Sequence, residues 1–343
     1  MDDDELMRRA LELGGAVRRR TSPNPWVGCV IVCTDGQVFE GATEPPGGRH
    51  AERMALEAAV AHGADVRGAT VVCTLEPCSH QGRTPPCADA LIEAGVGRVV
   101  TALLDPDQRV RGRGVLAMRN AGIDVVVGTS EDEAEQQLAP YLHHRRTGRP
   151  FVVLKLAATL DGRVAAADGT SQWITGPDAL RAGHQLRADS DAILVGAGTV
   201  RTDDPSLTTR LVEGPSPRRV VLGHAPPEAQ VHPCLEWDGP IDDLLTHLGD
   251  EGVLQLLVEG GARVAASFHQ ARLVDRYVFF LAPALMGGND GMALLHGDTT
   301  PTISQLWRGT VTSLRRVGAD IEVIVEPQRY DDTAGIPRED TPS

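Results

Sequence analysis

The chain of 343 residues is poor in aromatic side chains, at 3%. That scarcity argues against a surface that stacks exposed bases. Basic residues are outnumbered, 33 Lys and Arg against 47 Asp and Glu, and the resulting net charge of −14 repels phosphate backbones and anionic lipid. The most apolar stretch, residues 277–286, is about half the length that spans a bilayer and contains Pro283. The opening Met-Asp-Asp-Asp-Glu has neither the basic flank nor the apolar core of a secretory leader. Only six cysteines occur, too few in a chain of this size, without an export signal, for a disulfide framework; metal binding, catalysis or core packing is expected of them. Gly and Pro total 60 residues, short of collagen-like or low-complexity composition. The expectation is a soluble cytoplasmic protein with no nucleic-acid partner and no membrane segment.

The length suits two domains. Apolar residues recur at helical spacing from Leu6 to Arg20, and Pro23 and Pro25 end that helix before an apolar strand, Val27 to Cys33. A turn at Thr34-Asp35-Gly36, a strand over 37–42 and an Ala-rich helix over 50–62 follow. Strands at 69–74, 98–103 and 124–127 alternate with helices, a rhythm that predicts a mostly parallel sheet covered on both faces. An acidic helix over 131–138, the basic cluster His143-His144-Arg145-Arg146 and a turn ending at Pro150 break the rhythm, which places the boundary between a domain of residues 1–147 and one of 148–328. The second half is again α/β, with strands at 151–156, 192–195, 219–222, 252–259, 276–282 and 321–326 and a helix at 262–271. The polar tail, 329–343, is expected to be disordered.

His50 and Glu52 stand at a predicted helix start, and Pro77-Cys78 and Cys87 follow downstream. One imidazole and two thiolates suit tetrahedral Zn²⁺ and leave its fourth position for water, the layout of a catalytic site. Glu52 is placed to take a proton and deliver it to a leaving amine, the logic of zinc deaminases. A structural zinc site would need a fourth protein ligand, and the extra candidates, Cys73 and His80, are poorly placed. Cys73 falls within an apolar strand; Cys29, Cys33 and Cys234 also read as packing residues.

The eight-residue gap between Cys78 and Cys87 differs from the Cys-x-x-Cys of most nucleoside and nucleic-acid deaminases. The run from Thr74 through Cys87, with the upstream Pro23-Asn24-Pro25-Trp26-Val27-Gly28-Cys29-Val30, resembles the deaminase half of the bifunctional riboflavin-biosynthesis deaminase-reductases. That resemblance implies a cytidine-deaminase-like α/β/α domain. Its substrate would be a diaminopyrimidinone carrying a ribosylamino 5-phosphate, whose ring 2-amino group is hydrolysed to a carbonyl. Asn24, His80 and Arg83 would line the pyrimidine or phosphate site. Two positions depart from the family pattern, Arg49 where a proline is usual before the ligand histidine and Gln108 where a second proline is common.

Gly196-Ala-Gly198-Thr199 lacks the third glycine of a dinucleotide fingerprint, whereas Glu259-Gly260-Gly261-Ala262 ends a strand and opens a helix whose free N–H groups suit a phosphate. Lys155 to Arg163, Ser171 to Thr175, Gly198 to Val200 and Asp203 to Thr208 resemble the reductase half of the same family, in order and spacing. The implied fold is dihydrofolate-reductase-like and the implied cofactor NADPH, which would reduce the ribosyl group to a ribityl chain. By that resemblance Ala157, Trp173, Thr199, Asp203 and Gly261-Ala262-Arg263-Val264-Ala265-Ala266-Ser267 would contact NADPH. Ser171, Arg187, Leu207, Arg210 and Glu259 would hold substrate, with Lys155, Asp161 or Glu259 handling protons. Ala284 stands where the family usually has lysine. The family also implies a homo-oligomer, dimer or tetramer.

Two other readings compete. In one, the second half has lost its reductase and is structural, as Ala284 and a motif-poor segment between Leu211 and Gly252 suggest. In the other the chain edits nucleic acid, which its charge, aromatic content and cysteine spacing disfavour. Residues 1–7, 131–137 and 331–343 hold −11 of the −14 charge, so the two bodies are close to neutral and local arginines suffice for small phosphorylated ligands.

Overall fold

The structure, a computed structural model, describes residues 2–79 and 86–328. In chain order the first half carries α1 (Asp3–Thr21), β1 (Gly28–Val32), β2 (Val38–Ala42), α2 (Ala51–Ala61), β3 (Thr70–Cys73), α3 (Cys87–Glu93), β4 (Arg98–Thr101), α4 (Arg113–Asn120), β5 (Asp124–Val127) and α5 (Glu131–Thr147). Then come β6 (Phe151–Thr159), β7 (Arg163–Ala165), α6 (Pro177–Ala188), β8 (Ala192–Gly196), α7 (Ala197–Asp203), β9 (Arg218–Leu222), β10 (Leu235–Trp237), α8 (Ile241–Asp250), β11 (Gln255–Val258), α9 (Ala262–Gln270), β12 (Arg276–Ala282), β13 (Met292–Ala293), β14 (Gly309–Val317) and β15 (Asp320–Pro327). These pack as two compact units, residues 1–151 with 184–257, and residues 152–183 with 258 onward.

In the first unit a five-stranded sheet runs β2-β1-β3-β4-β5. Its strands are not mostly parallel as the rhythm of the sequence predicts: β1 runs antiparallel to both β2 and β3, and only β3, β4 and β5 are parallel. The reason lies in the connections. A tight turn with Gly36 at φ 88° returns β1 onto β2, whereas α3 and α4 supply the crossovers that parallel neighbours need. Cys29 and Cys73 are register partners on β1 and β3, fully buried with sulfurs 3.6 Å apart, the packing role expected of them.

α1 starts in a capping box, Asp2 accepting from the Glu5 amide and the Glu5 carboxylate accepting from the Asp2 amide, and carries acids in its first turn and arginines in its last. Leu6, Met7, Ala10, Leu11 and Val17 face the sheet. Contact is close enough to demand glycine: a Cβ on Gly28 would lie 1.9 Å from the Ala10 carbonyl oxygen. α5 is longer than expected, since the basic cluster continues the helix to Thr147 rather than breaking it, with Pro140 buried inside. Its end meets the 184–257 segment through His144 Nε2 and the Gly249 carbonyl, 2.9 Å apart. Arg18 donates to Gln255 at 2.6 Å and Arg19 pairs with Asp189 at 2.7 Å, so α1 is fastened to the same segment, which contributes strands in the order β10-β9-β8-β11.

The second unit holds strands in the order β6-β12-β15-β14, with β6 and β12 parallel and the last two pairs antiparallel, plus the small β7-β13 ladder. No described helix is long and apolar enough to cross a membrane.

Asp275, just ahead of β12, accepts from the Val152 amide at 2.7 Å, and burial raises its pKa from 3.8 to about 7. The folded chain therefore keeps this proton up to about pH 7, whereas the unfolded chain releases it near pH 4. Stability tied to it is full below pH 4 and falls as pH rises through 7, at a limiting slope of about 1.4 kcal/mol per pH unit. Asp275→Asn should flatten that fall. Urea unfolding of both proteins between pH 5 and 8 checks it, and equal slopes would remove Asp275 as the cause.

Candidate metal centre and pocket

His50 is the N-cap of α2, Cys78 lies in the loop after β3, and Cys87 is the first residue of α3. Three elements thus deliver three donors to one point. The His50 Nδ1 atom lies 3.5 Å from the sulfur of Cys78 and 3.5 Å from that of Cys87, and all three donor atoms fall within 4.8 Å of one another. With Zn–S near 2.3 Å, Zn–N near 2.0 Å and tetrahedral angles, an N···S edge should measure about 3.5 Å. The donor chemistry and spacing therefore fit zinc.

The two thiols ionise unequally before a cation arrives. The Cys87 thiol bonded to Cys78, aided by His50 and by the Cys87 amide 3.3 Å from the Cys78 sulfur, draws the Cys78 pKa down to about 4. Beside that thiolate the Cys87 pKa is pushed up. A bound cation removes the asymmetry by favouring both thiolates.

Glu52, one residue into α2, is 4% exposed. Burial, reinforced by the negative Cys78, lifts its pKa from 4.5 to about 7. A carboxyl that gains and loses a proton near neutrality is what general acid–base work requires. It lines a cavity of about 540 Å³ together with His50, Cys78 and Asn24. His80 and Arg83, also expected there, lie outside the described residues. Arg49, in the position where the resembling family usually has proline, pairs with Glu44 at 2.8 Å and with Glu57, bracing the chain just ahead of His50.

Sequence reasoning missed six further lining residues: Glu76, Asp105, Asp107, Arg109, Tyr141 and Arg145. Glu76 is 3% exposed and accepts from the amides of Asp105 at 3.2 Å, Gly112 at 2.8 Å, Gly114 at 2.9 Å and Val115 at 3.3 Å. Those bonds draw the 105–115 segment so close that a Cβ on Gly114 would sit 2.1 Å from the Pro77 carbonyl oxygen. Tyr141 donates to Asp105 at 3.0 Å, and the Arg145 guanidinium lies 4.9 Å from the Tyr141 ring centroid. The run Glu76-Pro77-Cys78 was the available signal, but the partners of Glu76 come from some thirty residues downstream.

The residues expected at a reductase site divide between the units. In the first, Thr199 and Asp203 lie on α7, Arg187 on α6 donates to the Thr208 carbonyl at 3.2 Å, and Arg210 donates to Thr208 Oγ1 at 2.9 Å and to Ser206. Leu207, between them, is buried at a φ of 53°. Arg187 thus reaches from α6 to the loop that carries Leu207 and Arg210. In the second unit Ala157 is on β6, Ser171 and Trp173 precede α6, and Glu259 follows β11; the Trp173 side chain is 73% exposed. Residues 261–267 form the start of α9, capped at Gly261 without any side-chain hydrogen bond. Asp161 accepts from Thr159 at 2.6 Å and from the Gly287 amide at 2.7 Å, bonds that hold its pKa down at about 2. Lys155 is half-buried, its Nζ 5.9 Å from the Phe280 ring centroid. Cys234, expected as a packing residue, is instead half-exposed beside His232 and Glu236.

Glu76→Ala should leave four backbone N–H groups without their acceptor and lower stability by about 3 kcal/mol. Zinc should also leave the variant faster in the presence of a chelator, because the Cys78 loop loses its anchor. Urea unfolding and chelator-chase kinetics measure the two effects, and wild-type values in both would refute the anchoring role.

Comparison with known proteins agrees with this geometry. The model for the cytidine and deoxycytidylate deaminase zinc-binding region matches residues 1–103, and that for the RibD C-terminal domain matches residues 150–323. The riboflavin biosynthesis protein RibD of Haemophilus influenzae is 38% identical over 95% of this chain and 98% of its own length, and that of Mycobacterium tuberculosis is 42% identical over 93% and 95%. Among solved structures, RibD of Acinetobacter baumannii aligns with a TM-score of 0.88 at 35% identity over 95% of this chain and 99% of its own. A diaminohydroxyphosphoribosylaminopyrimidine deaminase/5-amino-6-(5-phosphoribosylamino)uracil reductase from Thermotoga maritima gives 0.87 at 35%, with the same coverage. The chain belongs to the RibD family of bifunctional riboflavin biosynthesis proteins, with a zinc-binding deaminase part and a reductase part.

Proposed function

We propose that this enzyme hydrolyses the ring 2-amino group of 2,5-diamino-6-ribosylamino-4(3H)-pyrimidinone 5-phosphate and then reduces the product's ribosyl group to ribityl with NADPH. The deaminase reading rests on one observation above others: a buried carboxyl titrating near 7 beside a His/Cys/Cys cluster with zinc edge lengths, of which His50 and Cys78 line the same pocket as Glu52. His50, Cys78 and Cys87 hold the ion and Glu52 is the catalytic residue. Zinc, when bound, supplies Lewis acidity that lowers the pKa of a water in the open position. Glu52 would take up the proton that water gives up and deliver it to the departing amine, so that one water is consumed and one ammonia released. Asn24 meets the pyrimidine, and Arg109 and Arg145 are the guanidinium groups in the pocket suited to the phosphate.

In the reductase part, Arg187 and Arg210 fork onto the substrate phosphate, with Ser171, Leu207 and Glu259 completing the substrate contacts. Ala157, Trp173, Thr199, Asp203 and the 261–267 segment hold NADPH. The uncapped start of α9 is the fit test for that cofactor, because its N–H groups have no side-chain partner and suit a phosphate. NADPH supplies the hydride. Lys155 is favoured over Asp161 for handling the accompanying proton, since Asp161 is held ionised by the turn it closes. The motif-poor segment between Leu211 and Gly252 folds into β9, β10 and α8, an ordinary layer of the first unit. Catalytic labour divides near residue 147, and the working form is a cytoplasmic homo-oligomer. Support for the latter comes from β14, an edge strand whose Val311 and Leu314 are 56% and 69% exposed.

Glu52→Gln should keep its zinc and lose deamination by about 10²- to 10⁴-fold, while reduction of the deaminated product is untouched. Zinc content and ammonia release, assayed side by side, check this; normal turnover would remove Glu52 from the mechanism. Wild-type enzyme given the deaminated product should oxidise NADPH, and Lys155→Met should slow that oxidation at least tenfold with little change in NADPH affinity. No absorbance loss at 340 nm with wild type would mean that the second half is structural only.

A further inference from the structure

A second cluster of metal-ligand type lies far along the chain from the deaminase motif, and neither proposed reaction uses it. Glu236 lies in β10, and His232 and Cys234 stand in the irregular segment just before it, where the cis His232–Pro233 bond turns the chain. Their donor atoms fall within 4.8 Å of one another, and His232 Nδ1 lies 3.5 Å from the Cys234 sulfur. That is the same N···S edge seen at the first cluster, and the one that tetrahedral zinc geometry requires.

The surroundings of the donors match a metal site as well. His232 Nε2 lies 3.0 Å from the Pro226 carbonyl oxygen, which can only accept, so the ring proton sits on Nε2 and the Nδ1 lone pair faces Cys234. Ligating histidines are held this way, by a carbonyl or carboxylate on the far nitrogen. Glu236 is oriented likewise, by the Ala225 amide at 2.9 Å and by His224 Nδ1 at 2.9 Å. All three donors are half-buried, which leaves a route in from solvent. We propose that His232, Cys234 and Glu236 form a second site for a borderline divalent cation of the zinc type, separate from the deaminase centre.

An imidazole, a thiolate and a carboxylate give the ion one nitrogen, one sulfur and one oxygen, leaving the fourth position for water, since both ring nitrogens of His224 are engaged, by Glu236 at 2.9 Å and by Asp238 at 2.7 Å. Its role is anchorage. Gln230, in the same segment, donates through its amide and its side chain to Asp204 at 2.8 and 3.0 Å, and Asp204 is the residue that ends α7. Holding His232 and Cys234 to one ion would therefore steady the grip on the end of α7, next to Asp203.

The full-length protein, dialysed against micromolar Zn²⁺ and then freed of loose metal, should carry two zinc ions per chain by elemental analysis. Cys234→Ser and His232→Gln should each carry one, with ammonia release from the diaminopyrimidinone unchanged; Cys78→Ser should also retain one. One ion per chain in the wild type, or two in Cys234→Ser, would overturn the proposal. Should the variants misfold, the wild type answers alone. Saturating Zn²⁺ should slow maleimide modification of Cys234 about tenfold or more, since a ligated thiolate is a poor nucleophile, and an unchanged rate would equally overturn it. Neither readout depends on the reductase, and a failed deaminase assay would leave the zinc count standing.

Discussion

The carboxylate of Glu76 accepts four backbone N–H groups of the 105–115 segment while its own chain runs straight on into Pro77 and Cys78. Metal ligand and pocket wall are thereby parts of one hydrogen-bonded object. A carboxylate buried this deeply would ordinarily be costly, but four donors aimed at it offset the loss of water, and the amides in turn gain an acceptor that no strand or helix offers them. From this anchor the rest of the wall follows. Asp105 turns its oxygens to Tyr141 and the Asp107 amide, and Tyr141 gives Arg145 a face to rest on. Gly114 is needed because the segment comes within 2.1 Å of where a Cβ would strike Pro77.

The centre itself shows how environment assigns roles to similar groups. Glu52 and Glu76 are both buried carboxyls in one cavity. Glu76 is surrounded by amides that only donate, whereas Glu52 has a thiolate nearby and its desolvation is largely uncompensated, so its pKa climbs to about 7. Glu76 is thereby fixed in place by its four donors, whereas Glu52 is left able to exchange its proton near neutrality. Residue type alone does not separate them; the count of donors does.

Much of the fold is legible in the sequence, because α1 and α2 bury one face and so carry a helical period, while β1 and β3 are buried on both faces and stand out as short continuous apolar runs. What escaped was weakly patterned or short. β14 is exposed along most of its length and so has no alternation to read. α7 and β10 span seven and three residues, too few to establish a period. The basic end of α5 looks like a loop by composition, yet Tyr141 and Leu142 are buried and continue the helix. The site divided in the same manner. His50, Glu52, Cys78 and Cys87 sit in two short runs, so spacing exposes them. Asp105, Arg109, Tyr141 and Arg145 reach the pocket only through the pairing of β3 with β4 and the return of α5, contacts that local sequence does not encode.

The same distinction resolves the charge of the chain. An overall −14 is a statement about distant and mostly solvated groups, and at physiological ionic strength their fields fade over about 8 Å. A polynucleotide is sensitive to that total, because it must find a basic face along many phosphates. A single phosphate samples only its immediate surroundings. In the pocket Arg109 is tied to Asp107 at 2.7 Å and holds that carboxyl down at about 2, whereas Arg145 rests on a ring and bonds to the Pro23 carbonyl at 3.4 Å and to His144 Nδ1 at 3.1 Å. Of the two guanidiniums lining the cavity, Arg145 keeps the more uncompensated charge. An acidic protein can thus take a small anionic ligand by resting one guanidinium on a ring, a carbonyl and an imidazole rather than in an ion pair.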